Sequence, residues 1–268
     1  MVSFPGCKIN LGLQVVSRRP DGYHNINTCF FPLAWSDVLE ILPAPTFSFS
    51  QTGLTIPGDT DDNLCVKAYQ LLKKDFKLPP IQMHLHKVVP LGAGLGGGSA
   101  DGAHTLMMLN KTFQLNISND QLLHYASMLG SDCAFFIGSR PALGTGRGEV
   151  LTDLDISLKG YYLTVIVPAI HVATADAYRR VVPKEPAEAL RTIVSSPVTQ
   201  WKTRLLNDFE PSMFQQHSAI GKLKAALYDA GAIYAAMSGS GSAVYGIFTG
   251  STSLETIRGS MPGWSGWI

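Results

Sequence analysis

The sequence predicts a mixed α+β protein with two domains. Two observations favour this class: strand-like alternation of apolar and polar residues fills much of the first 49 positions, and a glycine cluster at 92–98 separates a predicted strand from a predicted helix. A third is that strands and helices do not alternate strictly, as they would in an all-parallel sheet. We expect domains over residues 1–152 and 153–268, with a boundary near 149–155.

The individual elements follow from periodicity and capping residues. Alternate positions from Ile9 to Val15 are apolar, which is typical of a strand. Ser118 and Gln121 have the spacing of a capping box, and Gly130 is a stop signal for the helix they open. The predicted elements are strands within 1–49, a helix at 63–76 capped by Asp61 or Asp62, a strand at 81–89, a helix after the glycines, a helix from 118 to 129, a strand at 161–167, a helix at 215–230, and strands at 232–237 and 243–248.

Composition and charge narrow the possible functions. The 268 residues include 21 Lys+Arg and 20 Asp+Glu, and this net charge of +1 does not favour a non-specific nucleic-acid binder. Hydrophobic residues make up 46%, as in a globular chain. The four cysteines contain no C-x-x-C pair, so neither a disulfide framework nor a structural zinc site is indicated. With no signal-peptide pattern and no convincing membrane span, we expect a cytoplasmic protein without nucleic-acid or membrane partners.

The glycine cluster is the strongest chemical signal in the chain. Residues 90–99 have the sequence PLGAGLGGGS, and five glycines in seven positions predict a loop rather than regular structure. Glycines let backbone N–H groups approach an anion, and a following helix adds unpaired N–H groups and the positive end of its dipole. We therefore predict a phosphate-binding loop; the alternative is a flexible loop without a ligand.

Known phosphate-loop patterns fit this segment unequally. No Lys follows the glycines, so the segment is not a Walker loop. The dinucleotide spacing G-x-G-x-x-G matches Gly92, Gly94 and Gly97, but the chain continues as helix where that pattern expects a second strand ending in an acidic residue. H-R-D and D-F-G do not occur, which argues against a protein kinase. A dinucleotide oxidoreductase is the weakest alternative.

The glycine segment and four others resemble the GHMP kinases, which phosphorylate small alcohols with ATP. The segment at 19–24, with the pattern R-x-D-G-Y-H, is the most specific. It resembles a signature of the family member that acts on the 2-hydroxyl of 4-diphosphocytidyl-2-C-methyl-D-erythritol in the non-mevalonate isoprenoid pathway. The matching segments, in chain order, are 5–13 (PGCKINLGL), 19–24 (RPDGYH), 90–103 (PLGAGLGGGSADGA), 130–136 (GSDCAFF) and 238–241 (SGSG).

This resemblance implies a fold, a pair of co-substrates and an assembly state. The fold would be a ribosomal S5-like N-terminal lobe that binds ATP and a ferredoxin-like C-terminal lobe. ATP and Mg²⁺ would be used, and the partner would be a cytidine diphosphate-linked methylerythritol; we expect a monomer or weak homodimer. Two alternatives stay open: a GHMP kinase for mevalonate, homoserine or a sugar, and a non-catalytic nucleotide-binding module.

The resemblance also implies two catalytic residues, Asp132 and Lys8. Asp132 would be the general base that takes the hydroxyl proton, a role that contributes ~10²–10⁴-fold to rate. Lys8 would keep that carboxylate ionised and stabilise charge on the hydroxyl and the moving phosphoryl group. Taken without the resemblance, Asp132 would be a helix N-cap and Lys8 a solvated strand residue.

The remaining site residues divide between acceptor and nucleotide. By the resemblance, Tyr23 and Tyr178 would stack on cytosine, His24 would hydrogen-bond to it, and Asn10 would contact a hydroxyl or the base; a locally bonded amide is an equal alternative for Asn10. Ser99 can bond phosphate or Mg²⁺, whereas the family usually has a second Ser at Ala100. No residue is predicted to be a metal ligand, and His84 and His86 are expected to be exposed. The predicted nucleotide-binding residues are Asn63, Lys87, Pro90, Leu91, Gly92, Ala93, Gly94, Leu95, Gly96, Gly97, Gly98, Ser99 and Ala100.

Overall fold

The computed structural model describes residues 1–250 and the backbone of Trp264–Trp267, and it confirms the mixed α+β class. The described strands form three four-stranded sheets, ordered β1-β4-β6-β5, β2-β3-β7-β8 and β10-β11-β9-β12. The strands are β1 (Val2–Ser3), β2 (Gly6–Arg18), β3 (His24–Ser36), β4 (Val38–Pro43), β5 (Ser48–Gly53), β6 (Ile81–Lys87), β7 (Ala142–Thr145), β8 (Val150–Asp153), β9 (Tyr162–Pro168), β10 (Tyr234–Met237), β11 (Val244–Phe248) and β12 (Trp264–Trp267). The helices are α1 (Leu64–Asp75), α2 (Gly97–Thr112), α3 (Asn119–Leu129), α4 (Cys133–Gly138), α5 (Thr174–Arg180), α6 (Leu190–Val194), α7 (Glu210–Gln216) and α8 (Ser218–Asp229).

The chain divides into two compact units that interleave along the sequence. Strands β2 and β3 and the glycine segment each contribute residues to both units. The division into 1–152 and 153–268 stays a prediction. Unit 1 comprises Met1–Lys8, Pro32–Leu91 and Gly96–Arg140, and unit 2 comprises Ile9–Phe31, Gly92–Leu95 and Pro141–Ile268.

Unit 1 combines one sheet with helices α1 to α4. Strand β6 pairs antiparallel with β4 and parallel with β5, and its alternate residues Ile81, Met83 and Leu85 are fully buried, as the periodicity predicts. Helices α1 and α2 approach closely at Gly102, where a Cβ would lie 3.1 Å from Leu64 Cβ. Helix α2 begins at Gly97, within the glycine segment.

Two predicted helix starts in unit 1 have different outcomes. The capping box of α3 is confirmed, since the Ser118 side chain accepts from the Gln121 N–H and the Gln121 side chain accepts from the Ser118 N–H. The prediction that Asp61 or Asp62 caps α1 is wrong. Both lie in a preceding 3₁₀ turn, and the cap is Asn63, whose Oδ1 accepts from Cys65 N–H at 2.9 Å.

Unit 2 packs α7 and α8 against an antiparallel sheet. Strand β9 pairs with β11 and β12, and β11 pairs with β10. The predicted single helix at 215–230 is wrong, because the backbone of His217 leaves the helical conformation at φ −127° and ψ 72°. This break lets Met213 of α7 and Ile220 of α8 both enter one buried core. The side chains of Trp264 and Trp267 lie outside the described residues.

Strand β2 differs from a strand with one solvated face. Its polar residues Lys8 and Asn10 are each only 3% exposed, so both faces are buried from Cys7 to Leu13. All four cysteines are buried free thiols. Among the described helices, none combines the length and apolarity needed to cross a membrane.

Candidate active site

The predicted catalytic pair is brought together in unit 1. Lys8 Nζ, from β2, lies 3.3 Å from Asp132 Oδ2, and the two side chains are 3% and 34% exposed. Asp132 stands directly before α4, but its side chain makes no capping hydrogen bond to that helix. Its carboxylate is therefore directed to Lys8 and partly to solvent, so the simple N-cap interpretation does not describe its geometry.

The phosphate loop is shorter than predicted. Gly97 and Gly98 belong to the first turn of α2, so the prediction that all five glycines are irregular is wrong. The N–H groups of a first helical turn have no acceptor within the helix, which makes this turn a favourable place for a phosphate. Ser99 lies in the same turn and is half-buried, while Ala100 is buried and its N–H is bonded to Gly96 O.

Gly96 joins this turn to the catalytic pair. Its φ of +70° favours glycine, and a Cβ there would lie 2.9 Å from Phe136 Cζ and 3.1 Å from Lys8 Cε. The alkyl chain of Lys8 thus packs directly beneath the start of α2. Unit 1 therefore holds an ammonium, a carboxylate and a helix N-terminus next to one another, which is the charge arrangement that phosphoryl transfer requires.

Gly98 has a different environment from its neighbours. A Cβ on Gly98 would meet no described atom closer than Leu91 Cδ2, at 4.0 Å. By contrast, a Cβ on Gly97 would lie 3.0 Å from both Lys87 Nζ and Val89 Cγ1. The protein's own packing explains Gly97 but leaves the space beside Gly98 open, as a cradle for a phosphate would require.

A buried charge cluster lies beneath this turn. Lys87 Nζ donates to Asp37 Oδ2 at 2.5 Å and to Asp101 Oδ2 at 2.7 Å, while Asp37 Oδ1 accepts from the N–H groups of Val88 and Val89. Burial alone would lower the pKa of Lys87, but the two carboxylates outweigh it and raise that pKa. Burial raises the pKa of Asp101 to about 7, and Asp101 Oδ1 has no hydrogen-bond partner in the described part of the chain.

This cluster changes the expectation for Lys87. Its side chain is fully buried between two carboxylates, one of which, Asp101, belongs to α2, so Lys87 helps to hold the start of that helix in place. A contact between Lys87 and the nucleotide stays a prediction. Asp37 and Asp101 were not identified from the sequence. The signal that could have found them is a charge in a strongly apolar stretch, since such charges are rarely buried without a partner.

The other half of the glycine segment belongs to unit 2, where it contacts the SGSG segment. Ser238 Oγ donates to Gly94 O at 2.8 Å, and Ala243 N–H donates to Ala93 O at 3.0 Å. Gly94 has φ +77°, and a Cβ there would overlap the Ser238 carbonyl oxygen. Only glycine fits at this position, because of both its conformation and this close approach.

The predicted cytosine residues also lie in unit 2. The His24 and Tyr178 rings stack with centroids 5.0 Å apart and an interplanar angle of 23°, and Tyr178 meets Phe209 edge-on. Burial and then the charge of Arg18 lower the pKa of His24, which favours the neutral form of its imidazole. The structure thus joins His24 and Tyr178 as one stacked pair, in which each ring covers one face of the other.

Tyr23 and Asn10 have contrasting surroundings. Tyr23 is 54% exposed, and the Arg147 guanidinium lies 5.0 Å from its ring centroid. Asn10 is buried: its Nδ2 donates to Thr28 Oγ1 at 2.8 Å, and its N–H donates to Ser238 Oγ at 3.2 Å. Asn10 therefore makes the bonds of a locally bonded amide, which is the alternative given in the sequence analysis. Its contact with substrate stays a prediction.

The remaining predicted residues have structural partners. Asn63 is half-buried and caps α1, so its place near the nucleotide stays a prediction. His84 and His86 hydrogen-bond to Ser50 and Thr52. The described residues contain no group of three His, Cys, Asp or Glu side chains that could hold a metal ion.

Comparison with known proteins decides the family. Residues 63–139 match the GHMP kinases N terminal domain, and residues 199–263 match the GHMP kinases C terminal domain. The 4-diphosphocytidyl-2-C-methyl-D-erythritol kinase of Bacteroides thetaiotaomicron is 51% identical over 252 residues, which cover 92% of each chain. The enzyme of the same name from Cytophaga hutchinsonii is 49% identical over 259 residues, covering 96% of this chain and 95% of its own.

The chain belongs to the 4-diphosphocytidyl-2-C-methyl-D-erythritol kinase family of the GHMP kinases. A crystal structure of 4-(cytidine 5'-diphospho)-2C-methyl-D-erythritol kinase superposes with a TM-score of 0.85 at 28% identity, covering 100% of this chain and 97% of the other. Homoserine kinase from C. hutchinsonii superposes with a TM-score of 0.67 at 19% identity, covering 98% and 94%, and this likeness concerns the fold alone. The predicted family and the GHMP kinase fold are confirmed, and the kinase is an enzyme of the isoprenoid precursor pathway.

Proposed function

We propose that this kinase transfers the γ-phosphoryl group of ATP to the 2-hydroxyl of 4-diphosphocytidyl-2-C-methyl-D-erythritol. Relatives of that name, about half identical over more than nine-tenths of the chain, support the substrate. The observation that carries the chemistry is the Lys8–Asp132 pair, 3.3 Å apart, with Lys8 packed beneath Gly96 at the start of α2. A mere nucleotide-binding module would have no use for this pair.

Asp132 is proposed as the general base. Its carboxylate takes the proton of the 2-hydroxyl as that oxygen bonds to the γ-phosphorus and the bond from phosphorus to the β,γ-bridging oxygen of ATP breaks, releasing ADP. The Asp132 side chain is one-third exposed, so its carboxylate can reach an incoming hydroxyl. The Lys8 side chain is nearly buried and stays fixed. The Lys8 ammonium lowers the energy of negative charge on the attacking and transferring oxygens.

The first turn of α2 is proposed to hold the ATP phosphates. The N–H groups of Gly97, Gly98 and Ser99 have no acceptor within the helix, and together with the open space beside Gly98 they fit a polyphosphate. Mg²⁺ stays a proposal: it would neutralise phosphate charge, and Ser99 is the residue predicted to bond it. An ion that arrives bound to ATP needs few protein ligands.

The aromatic residues of unit 2 are proposed to select the cytidine group. The stacked His24–Tyr178 pair is proposed to offer an outer ring face for stacking and an imidazole for hydrogen bonding, and Tyr23 offers an exposed ring. Stacking of a base on an aromatic side chain contributes ~1–3 kcal/mol. Asn10, Asn63 and Lys87 complete the proposed set, and we propose a cytoplasmic enzyme that is a monomer or weak homodimer.

The decisive experiment compares wild type with Asp132→Asn. We expect kcat to fall ~10²–10⁴-fold because the amide cannot accept the proton, while affinity for a non-hydrolysable ATP analogue is retained. The matched control is Asp120→Asn, which changes an exposed carboxylate in the first turn of α3. ADP formation is measured with Mg²⁺ and, in separate assays, the cytidine acceptor, 2-C-methyl-D-erythritol 4-phosphate, mevalonate or homoserine.

Each outcome has a clear meaning. Wild-type turnover with the cytidine acceptor alone, lost in Asp132→Asn and kept in Asp120→Asn, supports both substrate and base. A loss of less than tenfold in Asp132→Asn would contradict the base role. Equal turnover of mevalonate or homoserine would favour another GHMP kinase activity.

A further inference from the structure

Asn207 is a buried polar residue that neither motif matching nor the proposed mechanism uses. It precedes α7 in the segment NDFE and is only 3% exposed. A buried amide is stable only if its donors and acceptor are satisfied, so its partners indicate what it does. The inference below rests on the proposed function and concerns how its ATP site is held.

Every side-chain bond of Asn207 has a defined partner in unit 2. The Nδ2 amide donates to Met237 O and to Gly239 O, each at 2.8 Å. Its Oδ1 accepts from Phe209 N–H at 3.0 Å, which fixes the orientation of the amide. One amide therefore holds two carbonyls of the chain that leads into the SGSG segment.

The SGSG segment in turn holds the phosphate loop. Ser238 Oγ donates to Gly94 O at 2.8 Å and accepts from Asn10 N–H at 3.2 Å, so one hydroxyl bonds both the loop and β2. Ala243 N–H donates to Ala93 O at 3.0 Å. The close approach at Gly94 leaves no room for a Cβ, so a shift of Ser238 would move Gly94 as well.

We propose that Asn207 is a positioning residue for ATP. By fixing Met237 and Gly239, it fixes Ser238, and Ser238 sets the position of Gly94 in the glycine segment. Asn207 itself touches neither substrate nor reacting atoms; it acts through two hydrogen-bonded steps. It thus lies outside the five segments matched in the sequence analysis, but the geometry of two of them, the SGSG segment and the glycine segment, depends on it.

Asn207→Asp tests this chain of contacts. The carboxylate can still accept from Phe209 N–H, but it has no N–H to donate and places an oxygen against two carbonyls. We expect KM for ATP to rise about tenfold or more, the loss that goes with one unsatisfied buried hydrogen-bonding group. We also expect faster hydrogen exchange in peptides covering 92–96 and 238–243.

The control is Asn110→Asp, which makes the same change in an asparagine of unit 1. Asn110 also uses its amide twice, donating from Nδ2 to Ile117 O and accepting from Ile117 N–H. We expect it to lower thermal stability without changing KM for ATP. If a general loss of stability raised KM for ATP, it would do so in both variants. A positioning role raises KM for ATP only in Asn207→Asp.

A second variant keeps the proposal testable if Asn207→Asp does not fold. Ser238→Ala removes only the hydroxyl that bonds Gly94 and Asn10, and we expect a rise in KM for ATP in the same direction. KM for ATP within twofold of wild type in the folded variants, or faster exchange confined to 208–216, would overturn the proposal. Affinity for a non-hydrolysable ATP analogue is measured without acceptor, so a wild type that failed to phosphorylate the cytidine compound would refute only the proposed function.

Discussion

The substitution Gly98→Ala tests whether glycine at this position is required by the fold or by a bound ligand. Gly98 lies in the first turn of α2 with helical geometry, and a Cβ there would meet nothing closer than Leu91 Cδ2 at 4.0 Å in the described structure. The protein alone therefore tolerates alanine. If a phosphate sits on this turn, however, the added methyl group occupies the space that the phosphate uses.

The two effects have opposite signs. Replacing a helical glycine with alanine stabilises by roughly 0.5–1 kcal/mol, because alanine loses less backbone entropy on folding. For a chain of this size, that corresponds to a rise in Tm of about 1–4 °C. Loss of one hydrogen bond to a charged phosphate costs about 1.5–3 kcal/mol, which is roughly a tenfold to hundredfold weaker affinity.

The assay measures both quantities on the same samples. Tm is determined by calorimetry without ligand, and affinity for a non-hydrolysable ATP analogue is determined by titration. We expect Gly98→Ala to melt at a higher temperature and to bind ATP at least tenfold more weakly. Unchanged ATP affinity in the more stable variant would refute the assignment of the phosphates to this turn.

Two further predictions concern titratable groups of unit 1 whose pKa is shifted by partial or full burial. Burial raises the pKa of Asp101 to about 7 from 3.8, so the folded state binds its proton more tightly than the unfolded state and stability falls as pH rises between these values. Asp101→Asn removes a partner of the buried Lys87 and should destabilise the protein, but by less at pH 8 than at pH 5, as measured by urea unfolding. Burial lowers the pKa of His104, whose Nδ1 lies 2.7 Å from Ser3 Oγ, to about 4 from 6.5, so stability should fall by about 2 kcal/mol between pH 7 and pH 5, and a His104→Gln variant that kept this dependence would contradict the assignment.

Local pattern was sufficient for much of the secondary structure. The buried residues of β6 and the capping box of α3 depend on neighbours within a few positions, and both follow the sequence. Errors occurred where tertiary packing changed a boundary. The first turn of α2 includes two glycines, and one of them, Gly97, packs against Lys87 and Val89, a contact that local propensity does not show.

For the active site as well, sequence was sufficient to identify residue types, whereas their surroundings depended on tertiary packing. Residue types at motif positions, together with family resemblance, selected Lys8, Asp132 and the glycine segment, because phosphoryl transfer demands a base, a cation and free N–H groups. Periodicity alone placed Lys8 on a solvated strand face, whereas the structure buries it against Asp132. No local rule pairs a strand residue with the residue before a distant helix.

The sequence by itself determined the class of fold, most elements and the chemical type of the site. Only the tertiary structure decided that Lys87 lies between Asp37 and Asp101, and that Asn207 holds the chain leading to Ser238 and Gly94. The physical reason is that burial of a charge or an amide is stable only with partners, and folding supplies those partners from distant parts of the chain. Their identity therefore depends on packing, which motifs and periodicity do not specify.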